Sequence, residues 1–502
     1  MKRMWLLHLG LLLATASSPL AAPPNVIFIL ADDLGYGDLG CYGQQIIRTP
    51  NLDRMAAEGM RFTQHYAGSP VCAPSRCVLM TGKHPGHAFI RNNRSVQPEG
   101  QYPIPAETVT LAKLFKRQGY ATAAFGKWGL GPMDSTGSPL KQGIDRFFGY
   151  NCQGKAHNLF PPSLWDNDKV ITLDNDVPHP PQKLPDGADP NDPANYKRFL
   201  GKQYAPDLYM EQARRFIREH KDKPFFVYLP TIIPHLALQV PEDSLAEYRG
   251  KFPDLPYPGG RGYLPHFAPR AAYAAMITRM DREIGSLLAL VKQLGLDENT
   301  IFVFSSDNGP LNGAHQGHGG TDAVFFNSAG GLRDGKGTVY EGGLRVPCIV
   351  RWQGRIAAGT TCGRVTGFED WMPTLMELIG ASGIVPKDVD GISFAPTLLG
   401  KPQEARPFLY REFPAYGGQQ CVRIGYWKGV RKDLMPARRA KGKKPAQPNM
   451  HIALYNLKED LAETKDVSAE HPDVVAQIER IMREQHTPSE EFPFPALDAL
   501  VK

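Results

Sequence analysis

Four short runs of apolar residues punctuate the chain, and each is followed closely by polar or charged residues. A continuous apolar run of this length is typical of a strand that is buried on both faces of a parallel sheet. The four runs are Asn25–Ala31, Tyr120–Phe125, Pro224–Leu229 and Thr300–Ser305.

Stretches with helical periodicity precede three of these runs, at Thr108–Gln118, Asp207–His220 and Ala271–Leu294. Gly295 is well placed to end the last of them, because glycine adopts the left-handed conformation that closes many helices. This alternation of strands and helices predicts an α/β fold: a large, mostly parallel central sheet with helices on both faces.

The pattern changes after about Pro402, where short strands joined by turns replace the alternation. The predicted elements are strands at Arg406–Phe413, Cys421–Val430 and His451–Leu457, and a helix at Pro472–Glu484. We therefore expect a catalytic domain over residues 23–400 and a smaller C-terminal subdomain, with an antiparallel sheet and a helix, over residues 401–502. The basic segment Arg431–Lys444 is interpreted as a solvated loop, with a basic rim for a polyanionic substrate as the alternative.

The first 22 residues have the pattern of a secretory signal peptide. Lys2 and Arg3 precede the apolar segment Leu6–Ala14, and small residues follow it. The apolar segment is too short to cross a bilayer, so we expect cleavage, export to the periplasm or the exterior, and no integral membrane segment.

The composition is that of a soluble globular protein, with 42% apolar and 22% charged residues among 502. The formal charge of +6 becomes +4 once Lys2 and Arg3 are removed, since 55 basic residues then oppose 51 acidic ones. So small and scattered an excess argues against a nucleic-acid partner and is compatible with an anionic substrate.

Polar side chains follow all four predicted strands, and in open α/β sheets ligands bind beyond the carboxyl ends of the strands. Two adjacent carboxylates repel each other, so a hard divalent cation with oxygen ligands is the simplest neutralising partner. An all-oxygen set favours Ca²⁺ or Mg²⁺ over zinc. The side chains in question are Asp32-Asp33, Lys127, His235 and Asp307-Asn308.

Cys72 opens a segment that reads as a helix, since Pro74 suits a first helical turn. Backbone N–H groups and the helix dipole at that position favour anions, so Cys72 is a candidate low-pKa nucleophile. The alternative is a disulfide, for example with Cys77. The chain has seven cysteines, so at least one is unpaired or chemically different.

Several motifs resemble those of the type I, formylglycine-dependent sulfatases of the alkaline-phosphatase-like superfamily. The resemblance starts from the pentad Cys72-Ala73-Pro74-Ser75-Arg76 and extends over nearly the whole mature chain. The other motifs follow in family order: the Asp pair after the first strand, GKWGLG at Gly126–Gly131, the histidine after the third strand, SDNG at Ser306–Gly309 and GKGTVYEGGLRVP at Gly335–Pro347.

This resemblance implies that Cys72 is converted to formylglycine, by a formylglycine-generating or an anaerobic sulfatase-maturating enzyme acting on the unfolded chain. The hydrated aldehyde would then attack sulfur, and its second hydroxyl would drive the release of sulfate. One Ca²⁺ ion would be held by Asp32, Asp33, Cys72, Asp307 and Asn308. The remaining catalytic residues would be Arg76, Lys127, His235 and Lys336.

Gly129 departs from the family pattern, which has a histidine at this position of the GKWGLG motif. Another histidine reaching in, with His84 and His87 nearest in sequence, is one explanation, and Lys127 or water taking the proton is a second. The third is a slow or inactive enzyme. We favour the first two, because every other motif is intact.

The predicted substrate contacts are His87 and three residues of the loop after Asn308, namely His315, His318 and Asp322. The expected function is removal of sulfate from a sulfated carbohydrate. The alternatives are a phosphonate or phosphodiester hydrolase of the same superfamily and a non-catalytic binder of sulfated glycans.

Overall fold

The structure, a computed structural model, describes residues 22–435 and 447–501. Residues 1–21 of the predicted signal peptide and most of the basic segment Arg431–Lys444 lie outside these residues. None of the helices in the described ranges combines the length and apolar character that crossing a membrane requires.

The larger sheet has eleven strands in the order β10-β2-β9-β8-β1-β7-β3-β4-β5-β6, with β11 beside β2. The strands are β1 (Asn25–Ala31), β2 (Met60–Tyr66), β3 (Ala121–Lys127), β4 (Arg146–Tyr150), β5 (Ser163–Asp166), β6 (Lys169–Thr172), β7 (Phe225–Pro230), β8 (Thr300–Ser306), β9 (Arg345–Trp352), β10 (Thr360–Cys362) and β11 (Thr366–Gly367). The four predicted strands occupy neighbouring positions β8-β1-β7-β3 and run parallel to one another.

Helices cover both faces of this sheet, as the sequence predicts. The helices are α1 (Pro50–Ala57), α2 (Cys72–Thr81), α3 (Leu111–Arg117), α4 (Ala205–Glu219), α5 (Glu242–Leu245), α6 (Pro269–Gln293), α7 (Glu341–Leu344), α8 (Trp371–Leu378), α9 (Ala395–Leu398), α10 (Pro472–Glu484) and α11 (Pro495–Asp498).

Alternate residues of strand β1 belong to two different hydrophobic cores, one on each face of the sheet. Ile27 and Ile29 belong to the core that contains α4 and α6, whereas Val26 and Phe28 belong to the core that contains α2, α3 and α8. Each such side chain is fully buried and contributes roughly 1.5–3 kcal/mol relative to exposure. Helix α6 ends as predicted: Gly295 has a φ of 71°, and the Leu296 amide donates to the Val291 carbonyl at 3.0 Å.

The smaller sheet is antiparallel, in the order β12 (Leu409–Phe413), β13 (Gln419–Ile424), β14 (Trp427–Arg431) and β15 (Ala453–Asn456), and α10 packs against it. The segment Cys421–Val430, predicted as one strand, is a hairpin, because Gly425 with a φ of 55° lets the chain reverse.

This sheet is attached to the larger one by an apolar cluster and a buried ion pair. Leu409, Phe413 and Val430 pack on Tyr66 and Val339. Lys428 Nζ lies 2.9 Å from Glu341 Oε1, and both side chains are buried. The turn between β12 and β13 lies beside the loop that carries Lys336, since Gln419 Nε2 donates to the Gly337 carbonyl at 2.7 Å.

Candidate functional site

Four of the five residues predicted as metal ligands, all but Cys72, come together at the carboxyl ends of β1 and β8. Asp33 adopts a left-handed φ of 64°, and its amide donates to Asp307 Oδ1 at 3.2 Å. Asn308 Nδ2 donates to Asp33 Oδ1 at 2.7 Å. Asp32 also belongs to this cluster, and all four side chains are buried.

Three cations face the three carboxylates of this cluster. Lys127 Nζ lies 2.6 Å from Asp32 Oδ2, and Lys336 Nζ lies 2.7 Å from Asp33 Oδ1. Arg76 Nη2 lies 2.8 Å from Asp307 Oδ2. The formal charges therefore cancel before any metal or substrate is added, and an added divalent cation would leave the cluster able to accept an anion.

Burial and charge shift the pKa values of these groups. Burial opposes ionisation of Asp32, but Lys127 and the other nearby cations hold its pKa well below the usual value. For Asp307, burial and repulsion by Asp32 prevail, and its pKa rises to about 6. Burial lowers the pKa of His235 to about 4. The repulsion felt by Asp307 is of the kind that a divalent cation relieves.

Two oxygens of the cluster fit a metal ion. Asp32 Oδ1 and Asn308 Oδ1 are both buried, and neither accepts a hydrogen bond from any described residue. Buried polar atoms without a partner are rare in folded proteins, and a carboxylate with an amide oxygen suits a hard cation. Asp32, Asp33 and His235 also bring potential ligand atoms within 4.8 Å of one another.

Cys72 is the first residue of α2, which confirms the predicted helix start, and its side chain is buried. Arg76, one turn later, reaches the carboxylates of Asp32 and Asp307. The thiol does not form a disulfide, since all seven cysteines are free.

Asn93 contacts Cys72 and was missed by sequence reasoning. Asn93 Nδ2 lies 3.6 Å from the Cys72 sulfur, and Asn93 Oδ1 accepts from the Ala73 amide at 3.1 Å. Asn93 thus caps the first turn of α2 from outside the helix. No motif in RNNRS marks this role, because the contact depends on how the loop returns over the helix.

His235 lies directly beside the cluster. Its Nδ1–H donates to the Leu236 carbonyl at 2.7 Å, which leaves Nε2 facing Asp33 Oδ2 at 3.6 Å. The ring of His157 stacks on that of His235, with centroids 5.0 Å apart and planes 11° apart. His157, in a short turn after β4, was also missed by sequence reasoning.

The space beside Gly129 is occupied by Gln153. Gly129 has a φ of 82°, and a Cβ added there would lie 2.2 Å from Gln153 Nε2. The structure thus brings an amide, and not a histidine, to this position. His84 and His87 lie elsewhere: their rings stack on each other at 4.3 Å, and His87 Nδ1 lies 2.8 Å from Asp390 Oδ1.

The other predicted substrate contacts lie in the loop after β8. His315 and His318 pack edge to face, with centroids 5.9 Å apart. Asp322 is engaged by Arg270, whose Nη2 lies 2.6 Å from Asp322 Oδ2, and Gln316 Nε2 donates to Asp322 Oδ1 at 2.7 Å. The structure therefore places Asp322 in an ion pair within the protein.

Comparisons with known proteins identify the family. The family model for Sulfatase matches residues 24–381. A second family model, for the C-terminal part of N-sulphoglucosamine sulphohydrolase, matches residues 331–488. Arylsulfatase A of Homo sapiens is 34% identical over 430 residues, which cover 84% of this chain and 77% of that protein. The chain belongs to the sulfatase family. This confirms both the resemblance and the expected enzyme class.

Two further relatives cover still more of this sulfatase. N-acetylgalactosamine-6-O-sulfatase of Bacteroides thetaiotaomicron is 28% identical over 92% of this chain and 93% of its own. The crystal structure of Ps i-CgsB in complex with k-i-k-neocarrahexaose has a TM-score of 0.71 and 25% identity, and covers 92% of each chain. The sulfatase fold thus accounts for both sheets, including the C-terminal one.

Proposed function

We propose that this sulfatase hydrolyses sulfate esters of carbohydrates with one Ca²⁺ ion and a formylglycine made from Cys72. The observation that carries the proposal is the position of Cys72 at the start of α2, where Arg76 links it to a buried, all-oxygen cluster. Two relatives support the substrate class: one is named for a sulfated sugar, and the other is crystallised with neocarrahexaose.

Asp32, Asp33, Asp307 and Asn308 would hold the calcium ion, together with residue 72. The ion would supply a fixed positive charge that binds a sulfate oxygen and stabilises the charge developing on it. The two unpaired oxygens, Asp32 Oδ1 and Asn308 Oδ1, support this assignment. Lys127 and Lys336 would hold the carboxylates in their ionised form until the ion binds.

The hydrated aldehyde at position 72 would supply the hydroxyl that attacks sulfur. Arg76 would orient it, and Asn93 would fix the first turn of α2 around it. Lys127 and Lys336 would bind sulfate oxygens and offset the charge of the transition state. His235, whose Nδ1–H donates to the Leu236 carbonyl, would bind sulfate and, when Nε2 is protonated as well, donate that proton to the leaving oxygen.

Export also belongs to the proposal, with residues 1–22 as the signal peptide and the periplasm or the exterior as the destination. Residues 23–400 would form the catalytic domain and residues 401–502 the C-terminal subdomain. The partner that converts Cys72 would be a formylglycine-generating or an anaerobic sulfatase-maturating enzyme.

The deciding experiment is mass spectrometry of the peptide containing Cys72, from protein made in a host with the maturation enzyme. Conversion of the thiol to formylglycine removes H₂S and adds one oxygen atom, and we expect this mass change in active preparations. A panel of sulfated sugars, assayed for free sulfate, identifies the substrate. An unmodified thiol in protein that still releases sulfate would refute the mechanism.

The same protein preparations and substrates distinguish the proposed function from two alternative functions. A phosphonate or phosphodiester hydrolase would turn over those esters faster than a sulfate ester with the same leaving group. A non-catalytic glycan binder would release no sulfate, and binding would survive Cys72→Ala.

A further inference from the structure

Five aromatic rings form a continuous series beside the site, which we call the ring arc. Successive centroids lie 5.2 Å apart for His157–Tyr263, 6.0 Å for Tyr263–His318, 5.9 Å for His318–His315 and 5.5 Å for His315–Tyr416. The rings come from four separate segments of the chain. Tyr416 belongs to the turn between β12 and β13, so both sheets contribute.

The ring arc begins at the catalytic cluster and passes Lys336. Its inner ring, His157, stacks on His235. A Cβ added to Gly337, directly after Lys336, would lie 2.8 Å from the Tyr416 ring and 3.1 Å from His315 Nε2. The outer rings therefore stand immediately over the backbone that positions Lys336.

The ring arc is half-buried at its inner end and exposed at its outer end. His157, Tyr263 and His315 are half-buried, His318 is exposed, and Tyr416 is 59% exposed. A ligand that approaches the site would meet both the faces and the edges of these rings. An exposed large aromatic side chain next to a catalytic cluster is a common feature of ligand-binding surfaces.

Both tyrosines are held in an unfavourable backbone conformation. Tyr263 has a φ of 58° and Tyr416 a φ of 49°. Bulky residues rarely adopt positive φ, and each such residue costs of the order of 1 kcal/mol or more. Strain of this kind concentrates at binding sites, where it fixes the direction in which a side chain points.

We propose that the ring arc binds the sugar rings that adjoin the sulfated sugar in an oligosaccharide or polysaccharide. This rests on the proposed sulfatase activity and adds a subsite for uncharged sugars. Tyr263 and Tyr416 offer flat faces to the apolar face of a pyranose, and the histidines offer ring nitrogens to its hydroxyls. The C-terminal subdomain would thus contribute to the choice of substrate.

The charge states of His157 and His315 agree with this ligand. Burial, and then repulsion by His235, lower the pKa of His157 well below its usual value. Burial and Lys336 lower the pKa of His315. Neutral imidazoles both donate and accept hydrogen bonds, as sugar hydroxyls do, whereas a second sulfate would favour fixed cations.

The test compares one sulfated monosaccharide with a tetrasaccharide that carries the same sulfated sugar at its reacting end. We expect Tyr416→Ala to raise KM for the tetrasaccharide about tenfold, by loss of one stacked contact, and to change kcat/KM for the monosaccharide less than about twofold. Tyr426→Ala is the matched control, since Tyr426 is 53% exposed in the same subdomain but lies in the β13–β14 turn.

Thermal unfolding of each variant verifies that it is folded, and Tyr416→Asn provides a second test if Tyr416→Ala unfolds, because asparagine removes the ring and tolerates the positive φ of 49°. Equal losses on both substrates, or no loss on the tetrasaccharide, would overturn the ring arc as a sugar subsite. The proposed activity fails separately, if the wild type releases no sulfate from either substrate.

Discussion

Arg76 and Asp307 are joined by two buried hydrogen bonds to the same oxygen, from Nε at 3.0 Å and from Nη2 at 2.8 Å to Asp307 Oδ2. The helix that begins at Cys72 is thus fixed to the end of β8 by a planar fork. Asp307 Oδ1 remains free to accept the Asp33 amide at 3.2 Å. One side chain therefore joins the helix that begins at Cys72 to the proposed metal ligands at the end of β8.

Removing this fork should disrupt both stability and catalysis. We expect Arg76→Ala to lower the free energy of unfolding by about 3–5 kcal/mol, because it leaves buried carboxylates unpaired. Arg76→Lys keeps the charge but loses the fork, so a smaller loss of stability should accompany a large loss of kcat. Urea unfolding and sulfate release measure the two effects, and a wild-type midpoint for Arg76→Ala would contradict the argument.

Divalent cations should stabilise the protein independently of catalysis. Calcium at a hundred times its Kd should add about 2.7 kcal/mol, seen as a higher midpoint of thermal unfolding. The shift should persist in the inactive variant Cys72→Ala, weakened only by the loss of one ligand, and should disappear in Asp32→Asn and Asn308→Ala. If calcium has no effect on the wild-type midpoint after treatment with a chelator, the metal site is wrong.

Restoring a histidine at position 129 should damage this protein. The left-handed backbone and the 2.2 Å approach to Gln153 Nε2 together predict a loss of about 2–4 kcal/mol for Gly129→His. Gly119→His is the matched control, since Gly119 has a φ of 80° and no atom within 4 Å of the added Cβ. It should cost about 1 kcal/mol.

A second substitution tests whether Gln153 causes the loss of stability in Gly129→His. Gln153→Gly should recover part of the stability lost in Gly129→His, because it removes the side chain that the new Cβ meets. Equal stabilities of Gly129→His and Gly119→His would show that Gln153 does not restrict this position.

Asp38 should make stability depend on pH. Its carboxylate is buried, and Oδ2 accepts from the Gly35 amide and the Tyr273 hydroxyl, each at 2.7 Å. Burial raises its pKa from 3.8 to about 6, so the folded state binds the proton more tightly than the unfolded state. This contribution is fully present below pH 3.8 and is lost as pH rises through about 6.

The loss should amount to at most about 3 kcal/mol, the value of a shift of about two pKa units. Asp38→Asn should remove this part of the pH dependence, and Asp388→Asn, at an exposed carboxylate, should not. Guanidinium unfolding at several pH values measures it, and identical profiles for wild type and Asp38→Asn would exclude the effect.

The sequence predicted the central strands because both faces of each strand are buried. Every position is then apolar or nearly so, and residues such as Phe28 and Val303 form unbroken apolar runs. It did not predict β2 and β9. In β2, half-exposed polar residues such as Thr63 and Gln64 interrupt the run, and in β9, Pro347 argues against a central strand. These two segments are strands because β2 pairs with β9 and β9 pairs with β8, and their own composition does not indicate it.

The polar residues that follow the four central strands could be predicted from the sequence, because ligands bind beyond the carboxyl ends of parallel strands. Asn93, Gln153 and Tyr416 could not, because each reaches the site from a loop whose path no local pattern encodes. The same holds for His157, which only its stacking on His235 connects to the site.

Cys72 is only 2% exposed in the folded protein, so another enzyme can reach its thiol only before the chain has folded. Under the proposed function, the modifying enzyme competes with folding for the same thiol, and a chain that folds first retains an inert cysteine inside an otherwise native protein. Two preparations with identical melting curves can therefore differ many-fold in specific activity. The fraction of active molecules would then report the outcome of a kinetic competition during synthesis, and not the quality of the fold.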